Sequence, residues 1–308
     1  MKIFKWLLVL WAIFLLSSQA CAEEHLKLQK VKNNIYAIVG ELGNRTADNL
    51  GNNASFGFII TADGVVLVDS GGTYKGAEKI DSLIKSVTDK PVVTVINTGG
   101  QDHRWLGNGY FKQRGAHIIA SKAAVTDQHA RFQNQMFMLG NLVGTKALAG
   151  TDAVYADEKF AGKKVFTLGG VRFELMHVGP AHTPGDILVW LPKERVVFAG
   201  DVVYVDRMLG VLEHSDSRHW LAAYESMAAL KPDFVVPGHG PATSLSRARA
   251  DTYDYLVFLR NNVRAFIDAG RDVTQISEID QSRFKRLKNY DTLKGRNAQQ
   301  VIQAMEWE

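Results

Sequence analysis

Histidine and aspartate side chains occur at several points where apolar stretches of this sequence end. His103 and Asp201 follow two such stretches, and the segments 182–186 (His-Thr-Pro-Gly-Asp) and 237–240 (Pro-Gly-His-Gly) follow two others. Short loops after strands commonly carry the functional groups of layered α/β proteins. Imidazole and carboxylate groups without a thiolate suit zinc, iron or manganese in a mixed nitrogen and oxygen shell. Each motif alone is weak, but their order in one chain favours a metal site.

The elements that must position these groups alternate between strands and helices. The apolar pattern predicts strands at 34–40, 56–61, 64–69, 91–97, 117–120, 164–168, 171–178, 186–191, 195–199 and 233–236. It predicts helices at 74–87, 105–114, 122–139 and 220–230, and a helical pattern from residue 245 to the end. This alternation predicts an α/β protein in which helices cover the outer faces of sheets. We expect the helical tail to be a cap or a dimer element, which leaves a homo-oligomer open.

The first 22 residues have the features of a signal peptide. Two lysines precede an apolar run at 6–16, and Ala20 and Ala22 provide the small residues of a cleavage site. The run is shorter than the ~20 apolar residues that span a membrane. We therefore predict export to the periplasm, cleavage after residue 22 and no integral membrane segment in the mature chain. An uncleaved anchor and a lipid anchor on Cys21 are the alternatives.

Composition restricts the class of protein. Of the 308 residues, 46% are hydrophobic and 22% are charged, which excludes a disordered, collagen-like or coiled-coil protein. The formal charge of +4 arises from 36 basic and 32 acidic residues, without a basic run. This balance argues against a nucleic-acid partner and favours a small-molecule substrate.

Together these motifs resemble the metallo-β-lactamase superfamily. The residues that carry the resemblance are Val-Asp-Ser-Gly at 68–71, Ile-Asn-Thr at 96–98, Gly-Asn at 107–108, His-Thr-Pro-Gly-Asp at 182–186, Ala-Gly-Asp at 199–201 and Pro-Gly-His-Gly at 237–240. The resemblance implies an αββα four-layer sandwich with its site at one edge and hydrolysis by a metal-bound hydroxide. It implies three segments: a signal peptide at 1–22, a metallo-β-lactamase-like domain at 23–245 and a C-terminal helical extension at 246–308.

One segment departs from the family pattern. The family signature is His-x-His-x-Asp-His, followed by two residues and Gly-Asn, whereas residues 98–108 read Thr-Gly-Gly-Gln-Asp-His-Arg-Trp-Leu-Gly-Asn. An ungapped match places Gly99 and Gln101 at the first two histidine positions. It places His103 at the aspartate and Arg104 at the last histidine.

A gapped match remains open beside the ungapped one. It aligns Asp102 and His103 with the Asp-His of the family and places Thr98 and Gly100 at the two histidine positions. Under either match, two imidazoles of the first metal site are missing.

The resemblance then implies a reduced set of metal ligands. His103, Asp201 and His239 belong to the second site under both matches, and Asp102 is a fourth candidate under one of them. The first site keeps only His182 and the shared Asp201. Because His₂-carboxylate shells suffice for a catalytic metal, we predict one ion rather than two. Zinc is expected, with iron or manganese as alternatives.

The remaining roles follow from this site. Asp102 is the candidate general base or water-orienting group when it is not a ligand. Gln101 could contribute a weak oxygen ligand or bind substrate, and Arg104 could hold an anionic substrate or form a structural ion pair. Asp69 is expected to fix loop amides. His214 is expected to be structural, with a pocket-facing position as the alternative.

We predict a metal-dependent hydrolase of ester, thioester, amide or lactam bonds. The alternative is a catalytically degenerate relative that binds a small molecule or partner without turnover.

Overall fold

Two β-sheets form the centre of the protein. The computed structural model describes residues 25–306 and residue 308, so the predicted signal peptide lies outside the described residues. The first sheet has seven strands in sequential order: β1 (Leu26–Lys32), β2 (Ile35–Gly40), β3 (Ser55–Ile60), β4 (Val65–Val68), β5 (Val92–Asn97), β6 (His117–Ser121) and β7 (Glu158–Phe160). Strands β1 to β4 are antiparallel, and β4 to β7 are parallel.

The second sheet has five strands in the order β12-β11-β10-β9-β8. They are β8 (Lys163–Leu168), β9 (Val171–His177), β10 (Ile187–Leu191), β11 (Val196–Tyr204) and β12 (Phe234–His239). Only β11 and β12 pair in parallel. Each sheet therefore contains one set of parallel strands, and the motifs at 68–71, 96–98 and 237–240 lie at the carboxyl ends of such strands. Asp201 lies within β11, and the motif at 182–186 lies between the antiparallel strands β9 and β10.

Helices cover the outer face of each sheet. Four helices lie between consecutive strands of the first sheet, from β4 to β7. They are α1 (Tyr74–Lys85), α2 (Asp102–Trp105), α3 (Asn108–Lys112) and α4 (Lys122–Leu148). The remaining helices are α5 (Ser217–Ala229), α6 (Leu245–Ala248), α7 (Asp254–Asp268) and α8 (Tyr290–Met305), with short π or 3-10 turns at Arg249–Tyr253, Val273–Glu278 and Ser282–Phe284. No helix in residues 25–306 combines the length and apolar character needed to cross a membrane.

Apolar side chains fill the space between the sheets and beneath the helices. Between the sheets, Val66 and Ile96 of the first pack in one cluster with Val189, Phe198 and Val236 of the second. Separate apolar clusters join each sheet to its own helices. The predicted αββα sandwich is confirmed, because these three layers of core require four layers of secondary structure.

Some elements differ from the sequence-based expectation. β1 and β7 were not expected, and both lie at the ends of the first sheet, where a strand needs few apolar residues. Leu28 of β1 is 38% exposed. Helix α4 extends to Leu148 rather than ending at residue 139, with a break at Gly144, whose φ is +77°. Glycine adopts this left-handed conformation without the steric penalty of a side chain.

The C-terminal helices share the core of the second sheet. Tyr255, Leu259 and Val263 of α7 and Val301 of α8 are fully buried in the cluster that also contains Trp220 of α5. The chain therefore changes from strands to helices near the predicted boundary after residue 245, and one hydrophobic core continues across it.

Candidate metal centre

Three buried side chains converge at one edge of the sandwich. His103 is in α2, a few residues after β5, Asp201 is in β11, and His239 is the last residue of β12. Each offers one ligand atom, and these atoms lie within 4.8 Å of one another. The carboxyl ends of β5, β11 and β12 meet at this edge, so His103 becomes a neighbour of Asp201, which is 98 positions further along the sequence.

The hydrogen bonds of His239 orient its ring for a cation. Its Nδ1 lies 2.8 Å from the carbonyl oxygen of Asn53, to which it donates, so Nε2 of the neutral ring carries a lone pair. Burial, followed by the positive charge of Arg207, lowers the pKa of His239 well below its ordinary value. Nε2 then faces the Asp201 Oδ1 atom at 3.4 Å. Two acceptors facing each other at this distance fit a shared cation.

His103 has a carboxylate behind its ring. Its Nε2 lies 3.2 Å from Asp201 Oδ2, and its Nδ1 lies 3.2 Å from Asp102 Oδ1 and 3.0 Å from Arg45 Nη2. A ring that binds a cation through Nε2 carries its proton on Nδ1, where Asp102 Oδ1 is the acceptor, whereas a ring whose Nδ1 accepts the N–H of Arg45 Nη2 carries its proton on Nε2 and donates it to Asp201 Oδ2. Metal-binding histidines are commonly oriented by a carboxylate in this way.

Asp102 thus lies behind the site, in contrast to its predicted role as ligand or general base. Its Oδ1 is 2.8 Å from Arg45 Nη2, and it accepts the His103 backbone N–H at 2.7 Å. Burial alone would raise the pKa of Asp102, but Arg45 and His103 outweigh burial and hold it far below its ordinary value. A carboxylate so strongly stabilised in its ionised form is a poor proton acceptor. The geometry corresponds to an orienting group for His103.

Arg104 also differs from its predicted substrate-binding role. The side chain is 0% exposed, and all five N–H donors of the guanidinium are used within the protein. Nε and Nη2 donate to the two carboxylate oxygens of Asp201 at 3.0 and 2.6 Å, and Nη1 donates to Asp69 at 2.9 Å. The carbonyl oxygens of Ser55 and Gly238 accept the remaining two hydrogen bonds. The guanidinium is a buried structural cation, which is the alternative that the sequence left open.

Asp201 is fixed and ionised by these neighbours. Burial alone would raise its pKa, but Arg104 and His103 bring the pKa well below the ordinary value. Asp69 supports the same region, because it accepts the backbone N–H and the hydroxyl of Thr98, both at 2.7 Å. The expectation that Asp69 fixes a loop amide agrees with these contacts.

Gly99 and Gly100, which take histidine positions under the ungapped and the gapped match respectively, are closely packed. A Cβ atom on Gly99 would lie 2.6 Å from Asp186 Oδ1, and one on Gly100 would lie 1.9 Å from Asp127 Oδ2. Neither position accepts a side chain without movement of a buried carboxylate. Gln101 is also engaged, because its Oε1 accepts a hydrogen bond from Arg131 Nη1 at 3.2 Å.

His182 lies beside the three-residue cluster and not within it. Its Nδ1 is 3.1 Å from the carbonyl oxygen of Gly210, and its ring packs edge-on against Trp220. Burial lowers the pKa of His182 to about 3, so the ring is neutral at pH 7. His214 faces it, with ring centroids 6.5 Å apart, and both ring nitrogens of His214 are buried without a hydrogen-bond partner among the residues that the structure describes.

Three arginines near the site were not identified from the sequence. Arg45 contacts Asp102 and His103, Arg131 contacts Gln101, and Arg207 lies on the loop after β11. Arg45 had a weak signal, as a lone arginine in a loop rich in glycine and asparagine. The other two are brought here only by the packing of α4 and of the loop after β11.

The C-terminal extension holds the loop at 205–211. Asn297 of α8 is fully buried; its Nδ2 donates to the Leu209 carbonyl oxygen at 2.8 Å, and its Oδ1 accepts the Val211 N–H at 2.9 Å. This loop also provides the Gly210 carbonyl oxygen that contacts His182. The extension therefore contributes to the position of a residue beside the candidate metal centre.

We expect the substitution Asn297→Ala to lower the free energy of unfolding by about 1–3 kcal/mol, because two buried loop groups lose their partner. Urea denaturation of the mature chain measures this change. Asn261→Ala on the exposed face of α7 is the matched control and should change stability by less than about 0.5 kcal/mol. Equal effects of the two substitutions would contradict a specific clamp by Asn297.

Comparison with known proteins agrees with the fold and the arrangement of motifs. The model of the family described as the metallo-beta-lactamase superfamily matches residues 51–239. A metallo-beta-lactamase type 2 from Elizabethkingia meningoseptica is 28% identical over 250 residues, which cover 78% of this chain and 89% of that protein. The metallo-beta-lactamase IND-1 from Chryseobacterium indologenes is 25% identical over 215 residues, covering 68% and 80% of the two chains.

Solved structures show the same fold. A metallo-beta-lactamase from Pontibacter korlensis has a TM-score of 0.61 at 21% identity and covers 75% of this chain and 99% of its own. A stereoselective inverting sec-alkylsulfatase from Pseudomonas sp. has a TM-score of 0.68 at 17% identity. That match covers 91% of this chain and 50% of the sulfatase.

The chain belongs to the metallo-β-lactamase superfamily, as the family match over residues 51–239 shows. Its homology to proteins named metallo-beta-lactamases supports the prediction of a metal-dependent hydrolase.

Proposed function

We propose that this protein is a hydrolase that uses one metal ion held by His103, Asp201 and His239. The observation that carries the proposal is the convergence of three buried ligand atoms within 4.8 Å of one another. Two imidazoles and one carboxylate form a set that zinc accepts while leaving open positions, and iron or manganese would also suit it. Two imidazoles of the first metal site are absent under either match of residues 98–108, and this absence favours one ion over two.

A metal in this site would lower the pKa of a bound water toward ~7 and polarise a carbonyl group of the substrate. The protein side chains supply position and charge. Asp102 orients His103, Arg104 holds both oxygens of Asp201, and the neutral His182 offers Nε2 as a hydrogen-bond acceptor beside the cluster. Esters, thioesters, amides and lactams are the substrate classes that match this chemistry.

We also propose that the chain works in the periplasm after removal of residues 1–22. The two lysines, the apolar run and the small residues before Glu23 support this proposal. The mature protein would then consist of the domain at 23–245 and the helical extension at 246–308.

Metal analysis of the mature protein tests the one-ion proposal. After loading with zinc, iron or manganese and removal of excess metal, we expect about one equivalent per chain by plasma mass spectrometry. Two equivalents would contradict the single site. Near-zero metal with every ion would favour the alternative, a degenerate relative that binds without turnover.

Turnover tests the hydrolase itself. A panel of generic esters, thioesters, amides and lactams should include at least one substrate whose hydrolysis disappears with a chelator and returns with the metal. The names of the relatives place lactams first in this panel. Activity that persists at full rate after complete metal removal would contradict the proposed mechanism.

A further inference from the structure

Arg131 of α4 is a largely buried cation next to the loop that precedes His103. Its side chain is 17% exposed, and its Nη1 donates to Gln101 Oε1 at 3.2 Å. Its Nε donates to Asp127 Oδ1 at 2.6 Å, and its Nη2 donates to Asp127 Oδ2. That carboxylate lies against Gly100, because a Cβ atom there would be 1.9 Å from Oδ2. Arg131 therefore holds Asp127 as an ion pair and reaches the loop through Gln101.

Other side chains of the same helix hold this loop directly. Gln128 Nε2 donates to the carbonyl oxygen of Gly99 at 3.2 Å, and Gln135 Nε2 donates to that of Gly100 at 2.8 Å. The two glutamines lie one helical turn before and after Arg131, so one face of α4 meets the loop. The loop is thus ordered by hydrogen bonds from α4 and needs no metal ligand of its own.

Two neutral imidazoles lie within reach of the charge of Arg131. Burial is the main cause of the lowered pKa values of His182 and His214, and the positive charge of Arg131 lowers both further. His182 donates through Nδ1 to the Gly210 carbonyl oxygen, so its Nε2 carries a lone pair. Both ring nitrogens of His214 lack a hydrogen-bond partner in the described part of the chain. Neutral imidazoles and a carboxylate such as Asp127 are metal ligands, so this side of the site would attract a cation if the guanidinium were absent.

A first ion of the family type does not fit these contacts. Under either match of residues 98–108, two of its imidazole ligands are missing. Gln101 is bound to Arg131, and the guanidinium already pairs with Asp127. A divalent ion placed here would be repelled by a fixed positive charge, and burial makes that repulsion stronger than in water. The side of the site next to α4 therefore has a cation of its own.

We propose that the guanidinium of Arg131 takes the place of the first metal ion and excludes a second ion from the site. This inference rests on the proposed function, because it gives the reason for the single ion proposed there. Arg131 supplies the positive charge on the α4 side, and its ion pair keeps Asp127 from acting as a ligand. Removal of that charge should uncover a cation site made of Asp127 and the nearby imidazoles of His182 and His214.

Calorimetric titration of the mature protein with zinc tests this inference by counting ions. Arg131→Met removes the charge and both hydrogen bonds to Asp127, so it should bind one equivalent of zinc more than the unmodified chain. Arg131→Gln is a second neutral variant, which keeps a polar group near Gln101 and should gain the same ion. Arg131→Lys keeps the charge and should gain none. Combining Arg131→Met with Asp127→Asn removes the carboxylate and should abolish the extra equivalent.

Lys85→Met is the matched control, because Lys85 also pairs with a carboxylate one helical turn away, Asp81 on α1, and its side chain is 63% exposed. It should bind as many ions as the unmodified chain. Circular dichroism checks that each variant is folded. Equal zinc counts for the unmodified chain and both folded neutral variants, or an extra ion in Arg131→Lys, would overturn the inference. So would an extra equivalent that persists without the Asp127 carboxylate.

The ion count of the unmodified chain tests the proposed function, whereas the difference between it and Arg131→Met tests the role of Arg131. A difference of one equivalent, without metal or turnover in the unmodified chain, would remove only the proposed hydrolase. One equivalent in both proteins would remove only the role assigned to Arg131. Two equivalents in the unmodified chain would contradict both.

Discussion

Replacing Arg104 by methionine is expected to lower the free energy of unfolding by about 3–5 kcal/mol, because it leaves buried carboxylates without their cation. Methionine preserves much of the side-chain length and provides none of the five hydrogen bonds that hold Asp69, Asp201 and two carbonyl oxygens. Urea denaturation of the metal-free protein should show the loss directly. The free energy of unfolding of Arg104→Lys should lie between those of Arg104→Met and the unmodified chain, because one ammonium group cannot span both carboxylates in the same way.

The exposed Arg172 provides the comparison for this measurement. Its side chain is 54% exposed, and its pair with Glu174 lies at the surface, so Arg172→Met should cost less than about 1 kcal/mol. An Arg104→Met protein with stability within about 1 kcal/mol of the unmodified chain would show that the buried ion pairs are dispensable. The structural role assigned to Arg104 would then be wrong.

Replacing His239 by alanine is expected to produce a folded protein that no longer retains its metal. The residue offers one of the three proposed ligand atoms, so its loss should reduce metal affinity by more than the roughly 10- to 100-fold typical of groups that merely orient a ligand. Hydrolysis that depends on the metal should fall in parallel. Metal content after dialysis, together with circular dichroism of the same sample, measures both effects.

Two other substitutions separate metal binding from folding. His219→Ala removes a histidine that is 58% exposed and paired with Asp216, and it should retain the metal. Asp69→Ala removes a buried acceptor of three hydrogen bonds and should reduce the yield of folded protein as much as activity. Full metal retention by folded His239→Ala would exclude this residue as a ligand.

The contacts around Arg104 connect these two predictions. Asp201 accepts two hydrogen bonds from the guanidinium on one side and faces His103 and His239 on the other. Loss of Arg104 should therefore disturb the position and pKa of a proposed ligand as well as the stability of the fold. Metal affinity of Arg104→Lys, which retains one positive charge, measures how strongly the buried pair orders the site.

Local patterns in the sequence were sufficient to predict most of the strands and helices. The apolar runs at 64–69, 91–97 and 233–236 predicted strands, because burial on both faces requires continuous apolar residues. The spacing of Ala77, Ile80 and Ile84 similarly predicted α1. The edge strand β1 and the second part of α4 lacked such a signal, since their pairing and packing depend on neighbours distant in sequence.

The amino-acid sequence by itself determined the α/β sandwich, the family and the residue types available as metal ligands, because periodic burial and short motifs are encoded locally. Only the tertiary structure decided which of these side chains meet. It directed Asp102 toward Arg45, buried Arg104 beneath Asp201, and brought Asn297 of the C-terminal extension against the loop at 205–211. These outcomes depend on the angles at which strands and loops from both sheets approach one edge, which the spacing of residues along the chain does not specify.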